Sequence, residues 1–70
     1  MIIVAFHTTA DAFGFEEIAK CYGLEGRLGT IPRSISAGCG FAWLIERGSK
    51  EKLQRFIVQR GLEYEGIYEQ

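Results

Sequence analysis

The chain has 70 residues, 47% of them hydrophobic, and its eight basic and nine acidic side chains leave a formal charge of −1. That length holds one core and predicts one domain over residues 1–70, with too much apolar content for a disordered chain. The near-neutral charge and scattered basic residues exclude a general nucleic-acid face and an electrostatic hold on anionic membrane.

Ile2-Ile3-Val4-Ala5-Phe6 is β-branched and aromatic and reads as a buried first strand. It is far too short to span a bilayer. Met1 leads directly into it without a leader pattern, so a cytoplasmic location is expected. His7-Thr8-Thr9 ends the strand, and either threonine can cap a helix with Asp11 in its first turn. Ala12, Phe15, Ile18, Ala19 and Tyr22 recur at helical spacing and predict its core face, while Glu16 and Lys20 form an i,i+4 pair on the flank. Gly23 is the expected stop. Phe13 falls on the solvent side, and Cys21 reads as a half-buried filler near the helix's negative end.

A short strand over about 25–31 follows, weakened by Gly26 and Gly29 and so expected at a sheet edge. After a loop, residues 41–46 form a central strand in which Trp43 packs against the sheet. Ser49 can cap a second helix with Leu53, Phe56, Ile57 and the Arg60 stem on its inner face, and Gly61 ends it. Leu62, Tyr64, Ile67 and Tyr68 predict a last strand, broken by Gly66 as a bulge would break it. The order βαββαβ predicts an α+β, ferredoxin-like domain, a four-stranded antiparallel sheet with both helices on one face.

That topology brings His7, Thr8 and Thr9 to the same edge as the loop Pro32-Arg33-Ser34-Ile35-Ser36-Ala37-Gly38-Cys39-Gly40. Cys39 stands between two glycines, which are sterically open and free to turn their amides toward it. A helix N-terminus and a cation both favour a thiolate, the form that acts as nucleophile and carrier. The candidate site is therefore Cys39 as the reacting thiol, with Arg33, His7, Thr8, Thr9, Ser36, Gly38, Gly40 and Pro32 around it. Each residue has a plainer role beside this one. Cys39 can be an inert small residue, His7 a strand-end hydrogen-bonding group rather than a base, and Arg33 a pin for loop carbonyls rather than an anion ligand.

With the cysteines outside any CxxC pair, both read as free thiols. Twelve helical residues, about 18 Å, separate Cys21 from the predicted helix start beside Cys39, too far for a disulfide between them. One histidine leaves a single chain short of metal ligands, and no metal or cofactor is expected.

Phe6-His7-Thr8-Thr9-x-x-Ala12 together with Ile31-Pro32-Arg33-x-Ile35-Ser36-x-x-Cys39-Gly40 resembles a family of small bacterial and archaeal domains, the putative selenium/sulphur carrier-like proteins. The resemblance covers nearly the whole chain. It implies a ferredoxin-like domain in which the loop cysteine, here Cys39, carries sulphur or selenium as a persulfide or selenosulfide between donor and acceptor proteins. Thr8, Thr9, Pro32, Arg33, Ser36, Cys39 and Gly40 match its motifs. His7 enters on geometry alone, and Cys21 matches nothing. Two functions stay open: a carrier protein, and a small-anion or protein-binding module in which the thiol is incidental, with a homodimer through an edge strand compatible with either. A metallochaperone built from Cys39 and His7 of two copies is a third.

Overall fold

The computed structural model describes residues 1–35 and 38–70. The elements follow the order β1 (Ile2–Ala5), α1 (Thr9–Tyr22), β2 (Arg27–Thr30), β3 (Phe41–Ile45), α2 (Lys50–Arg60) and β4 (Gly66–Glu69). The four strands form one antiparallel sheet in the order β2-β3-β1-β4. This is the ferredoxin-like arrangement expected from the element order, with β2 at an edge and β3 inside.

Capping residues fix both helices. Thr8 accepts the Asp11 amide on its hydroxyl at 3.1 Å, and Ser49 does the same for Lys52 at 3.4 Å. Gly23 and Gly61 close the helices in left-handed conformations, with φ of 71° and 60°. The residue after each glycine returns its amide to the preceding turn, Leu24 to Ala19 and Leu62 to Ile57. Both ends are Schellman motifs with an apolar residue folded back onto the core.

The sheet is apolar on both faces, which is why every residue of β1 is buried. On the helix side, Val4, Phe6, Trp43 and Ile45 meet Ala12, Phe15 and Ala19 of α1 and Leu53 and Ile57 of α2. Phe15 is the hub, with ring centroids 5.2 Å from Phe6, 5.7 Å from Trp43 and 6.2 Å from Phe56. The Trp43 indole is buried with its N–H donated to the Glu25 carbonyl at 3.0 Å. On the other face Ile3, Ala42 and Leu44 are covered by Ile31, Ile35 and Tyr68, so the start of the β2–β3 connection lies over the open side of the sheet.

Three expectations need correction. Tyr22 is 61% exposed. As the last residue of α1 it reaches past the sheet and packs across to α2, its ring edge-on to Phe56 and under the Arg60 guanidinium at 4.1 Å. Cys21 beside it is exposed rather than half-buried. Leu62 and Tyr64 are not strand: Leu62 closes α2, and β4 begins only at Gly66. No helix among the described residues is long and apolar enough to cross a membrane.

Candidate functional site

Three segments meet where β1 ends. Phe6 leads through His7 to the Thr8 cap of α1, residues 38–40 lead into β3, and Glu65 leads into β4. The contacts are made by backbone. The Cys39 N–H donates to the Phe6 carbonyl at 3.2 Å, and the Glu65 N–H donates to the Ala5 carbonyl at 2.7 Å. Ala5 pairs with Gly66 in the ladder, so Glu65 sits one residue out of register, the offset of a bulge at the strand's entrance.

Cys39 precedes β3 by two residues. Trp43 and Ile45 belong to the helix-side core, and Phe41 and the half-buried Cys39 pack against that same core. Its S–H donates to the Phe41 carbonyl at 3.8 Å. The thiol is thus less open than two flanking glycines imply, because it packs against the helix-side core. The Phe41 ring also packs on Phe13 of α1, with ring centroids 5.5 Å apart and planes tilted by 46°. Phe13 is exposed as expected, but it has this neighbour.

The two glycines serve different needs. Gly40 has φ of 86° and open space around its α-carbon, so backbone conformation alone calls for glycine there. Gly38 has no such φ, yet a Cβ on it would run into the Phe6 carbonyl oxygen and stand 2.6 Å from the Glu65 Oε2. Close approach is what calls for glycine at 38.

The remaining candidates separate. Thr8 has its hydroxyl committed to the α1 cap, while Thr9 is the exposed first residue of the helix. His7 and Arg33 are exposed. Pro32 starts a turn, its carbonyl accepting the Ile35 amide at 3.0 Å, and the Gly40 carbonyl accepts the Ile31 amide at 2.9 Å. The amides of Ile35 and Cys39 are therefore engaged by carbonyls, and neither is turned out to cradle an anion. Ser36 lies outside the described residues. The structure thus brings together Thr8, Gly38 and Cys39 around Phe6, and leaves Arg33 on the outer turn.

The sequence reading did not include Glu65, whose carboxylate faces Gly38 and accepts the Tyr68 hydroxyl at 3.0 Å. Topology held the signal: with β4 antiparallel beside β1, the residue preceding Gly66 must lie at the end of β1. The Tyr68 phenol is held above its ordinary value of 10.0, first by this hydrogen bond, then by burial and the carboxylate's charge. Clefts open elsewhere. One is lined by Glu25, Arg27, Glu46 and Arg47 at the far end of β2 and β3, another lies between α1 and the end of α2, and Cys39 lines neither. No group of three or more acidic, histidine or cysteine residues placed to hold a metal occurs among the described residues.

The model of the family described as "Putative Se/S carrier protein-like" matches residues 1–69. The chain belongs to this family. No curated protein and no solved structure matches it. The family match runs through both motifs, from the end of β1 to the cysteine loop, and on through α2 and β4. Both cysteines are free thiols.

Proposed function

We propose that this protein carries sulphur or selenium on Cys39 and relays it between a donor and an acceptor protein. The observation that supports this most is the anchoring of Cys39 to Phe6, two residues before the cap of α1, in a chain whose family is described as carrier-like. The transfer step needs no outside oxidant. The Cys39 thiolate attacks the outer sulphur of a donor persulfide, the new S–S bond forms as the old one breaks, and the donor leaves as a thiolate. The acceptor's nucleophile then takes the outer sulphur from Cys39, which leaves as a thiolate in turn. A selenium atom bound to a thiol moves by the same exchange.

In this reading residues 1–70 act as one cytoplasmic carrier domain. Thr8 fixes the helix end, Gly38 and Gly40 shape the loop, Arg33 supplies positive charge to a bound anion or partner, and His7 offers a hydrogen-bonding ring. The binding-module alternative draws on the half-burial of Cys39 and its S–H on a carbonyl. Incubation with a cysteine desulphurase and free cysteine, followed by intact mass measurement, tests the carrier reading. One added sulphur on wild type and on Cys21→Ser, absent from Cys39→Ser, is expected. A gain that survives in Cys39→Ser, or no gain at all, counts against it.

A further inference from the structure

We infer that Glu65 is a positioning residue for Cys39, a carboxylate strut that ties the thiol-bearing loop to β4; this rests on Cys39 being the functional residue proposed above. Each carboxylate oxygen faces a different element. Oε1 accepts the Tyr68 hydroxyl at 3.0 Å, and Oε2 lies against Gly38, the residue before the cysteine. The Glu65 backbone is itself fixed by the 2.7 Å bond from its amide to Ala5. Gly66 completes the device. The Tyr68 ring folds back across it, its hydroxyl 3.0 Å from where a Cβ would stand, and so reaches the glutamate two places beyond its strand neighbour.

The residues at this junction are closely packed. Gly38 is pressed between the Phe6 carbonyl and the carboxylate, and Cys39 takes its amide bond from the same carbonyl. A side chain hydrogen-bonded at one oxygen and packed at the other loses little further entropy when a partner docks, so the sulphur's position is set before the encounter. Tyr68 also covers Ile3 and Leu44 on the open face of the sheet, so the strut rests on a packed ring. Its stiffness is inherited from the sheet.

Amide hydrogen exchange and thiol alkylation test this without any sulphur transfer, so its failure leaves the carrier reading standing, and the reverse. In Glu65→Ala the Cys39 amide should exchange about tenfold faster, while Val4 and Trp43 in the centre of the sheet keep their protection. The half-buried Cys39 should also be alkylated by iodoacetamide at least about threefold faster relative to the exposed Cys21 of the same molecule, an internal reference already open to solvent. Tyr68→Phe, which removes only one hydroxyl, carries the same test should the alanine variant not fold. Unchanged exchange at Cys39, protection lost equally from Val4 and Trp43, or an unchanged alkylation ratio each overturns the proposal.

Discussion

The backbone N–H of Cys39 is hydrogen-bonded to the carbonyl oxygen of Phe6 at 3.2 Å, beyond the last regular pair of the β1–β3 ladder, Ala5 with Ala42. This bond joins the cysteine loop to the entrance of α1 without a side chain on either partner. It tolerates only the smallest residue at position 38. Gly38→Ala should therefore cost about 1–3 kcal/mol through overpacking against the Phe6 carbonyl and Glu65. Gly40→Ala meets open space and should cost about 1–2 kcal/mol from its left-handed backbone alone. Urea midpoints give both numbers, and the Cys39 amide shift in NMR distinguishes them. It should move markedly in Gly38→Ala, where the Phe6 bond must stretch, and equal, small movements in both variants would refute the close-approach account.

The two threonines before α1 have different duties. The Thr8 hydroxyl accepts the Asp11 amide, whereas Thr9 is exposed in the first turn. Thr8→Ala should lose about 1 kcal/mol, with Thr8→Ser recovering most of it, and Thr9→Ala should stay within about 0.5 kcal/mol of wild type. Chemical denaturation of the three variants decides the matter. If Thr9 proves the costlier position, the cap has been placed one residue too early.

Much of this fold was legible because local rules and global topology agree. The caps at Thr8 and Ser49, the stops at Gly23 and Gly61, and the strands at the start and middle of the chain follow from short-range chemistry, and βαββαβ leaves few compact arrangements. The misses share one cause, side chains whose fate depends on where an element ends. Leu62 looked like the first residue of an alternating strand, but an apolar residue just after a helix-ending glycine serves equally as the returning contact of a Schellman motif. Tyr22 lies on the core side of the helical wheel and still escapes burial, because the sheet stops before the helix does.

At the candidate site the shared edge was readable from the element order, but the direction of the thiol was not. Flanking glycines suggest openness; Cys39 instead packs half-buried against the helix-side core, a long-range contact that no local pattern around it encodes. Glu65 carries no motif. Its place emerges once β4 is paired with β1.

The ring cluster offers a contrast between two aromatic residues seven positions apart on α1. Phe15 is 1% exposed and touches three other rings, so Phe15→Ala should cost about 3–5 kcal/mol. For a chain this short the whole stability is on the order of 4–10 kcal/mol, so that variant should be largely unfolded at warm temperatures. Tyr22→Ala loses an exposed ring and its stacking under Arg60, worth about 0.5–1 kcal/mol. Thermal unfolding followed by circular dichroism should show a large drop in midpoint for the first and a drop of a few degrees for the second. Comparable losses would mean that the Arg60 sandwich between Tyr22 and Phe56 contributes as a core element.

Tyr68 makes stability sensitive to alkaline pH. Its hydroxyl can donate to Glu65 only while protonated, and the folded chain holds that proton to a higher pH than the ordinary value of 10.0. The unfolded chain releases it near pH 10. A group whose folded pKa is raised contributes fully below the unfolded value, and its contribution fades as pH climbs through the folded one. Wild type should therefore exceed Tyr68→Phe in urea midpoint by a constant margin from about pH 8 to about pH 9.5, and the margin should shrink above about pH 10. Comparing the two proteins cancels the titration of the lysines, the other tyrosines and both thiols, which they share. A margin that stays level through pH 11, or one that widens, would mean that the phenol's proton is not what joins Tyr68 to Glu65.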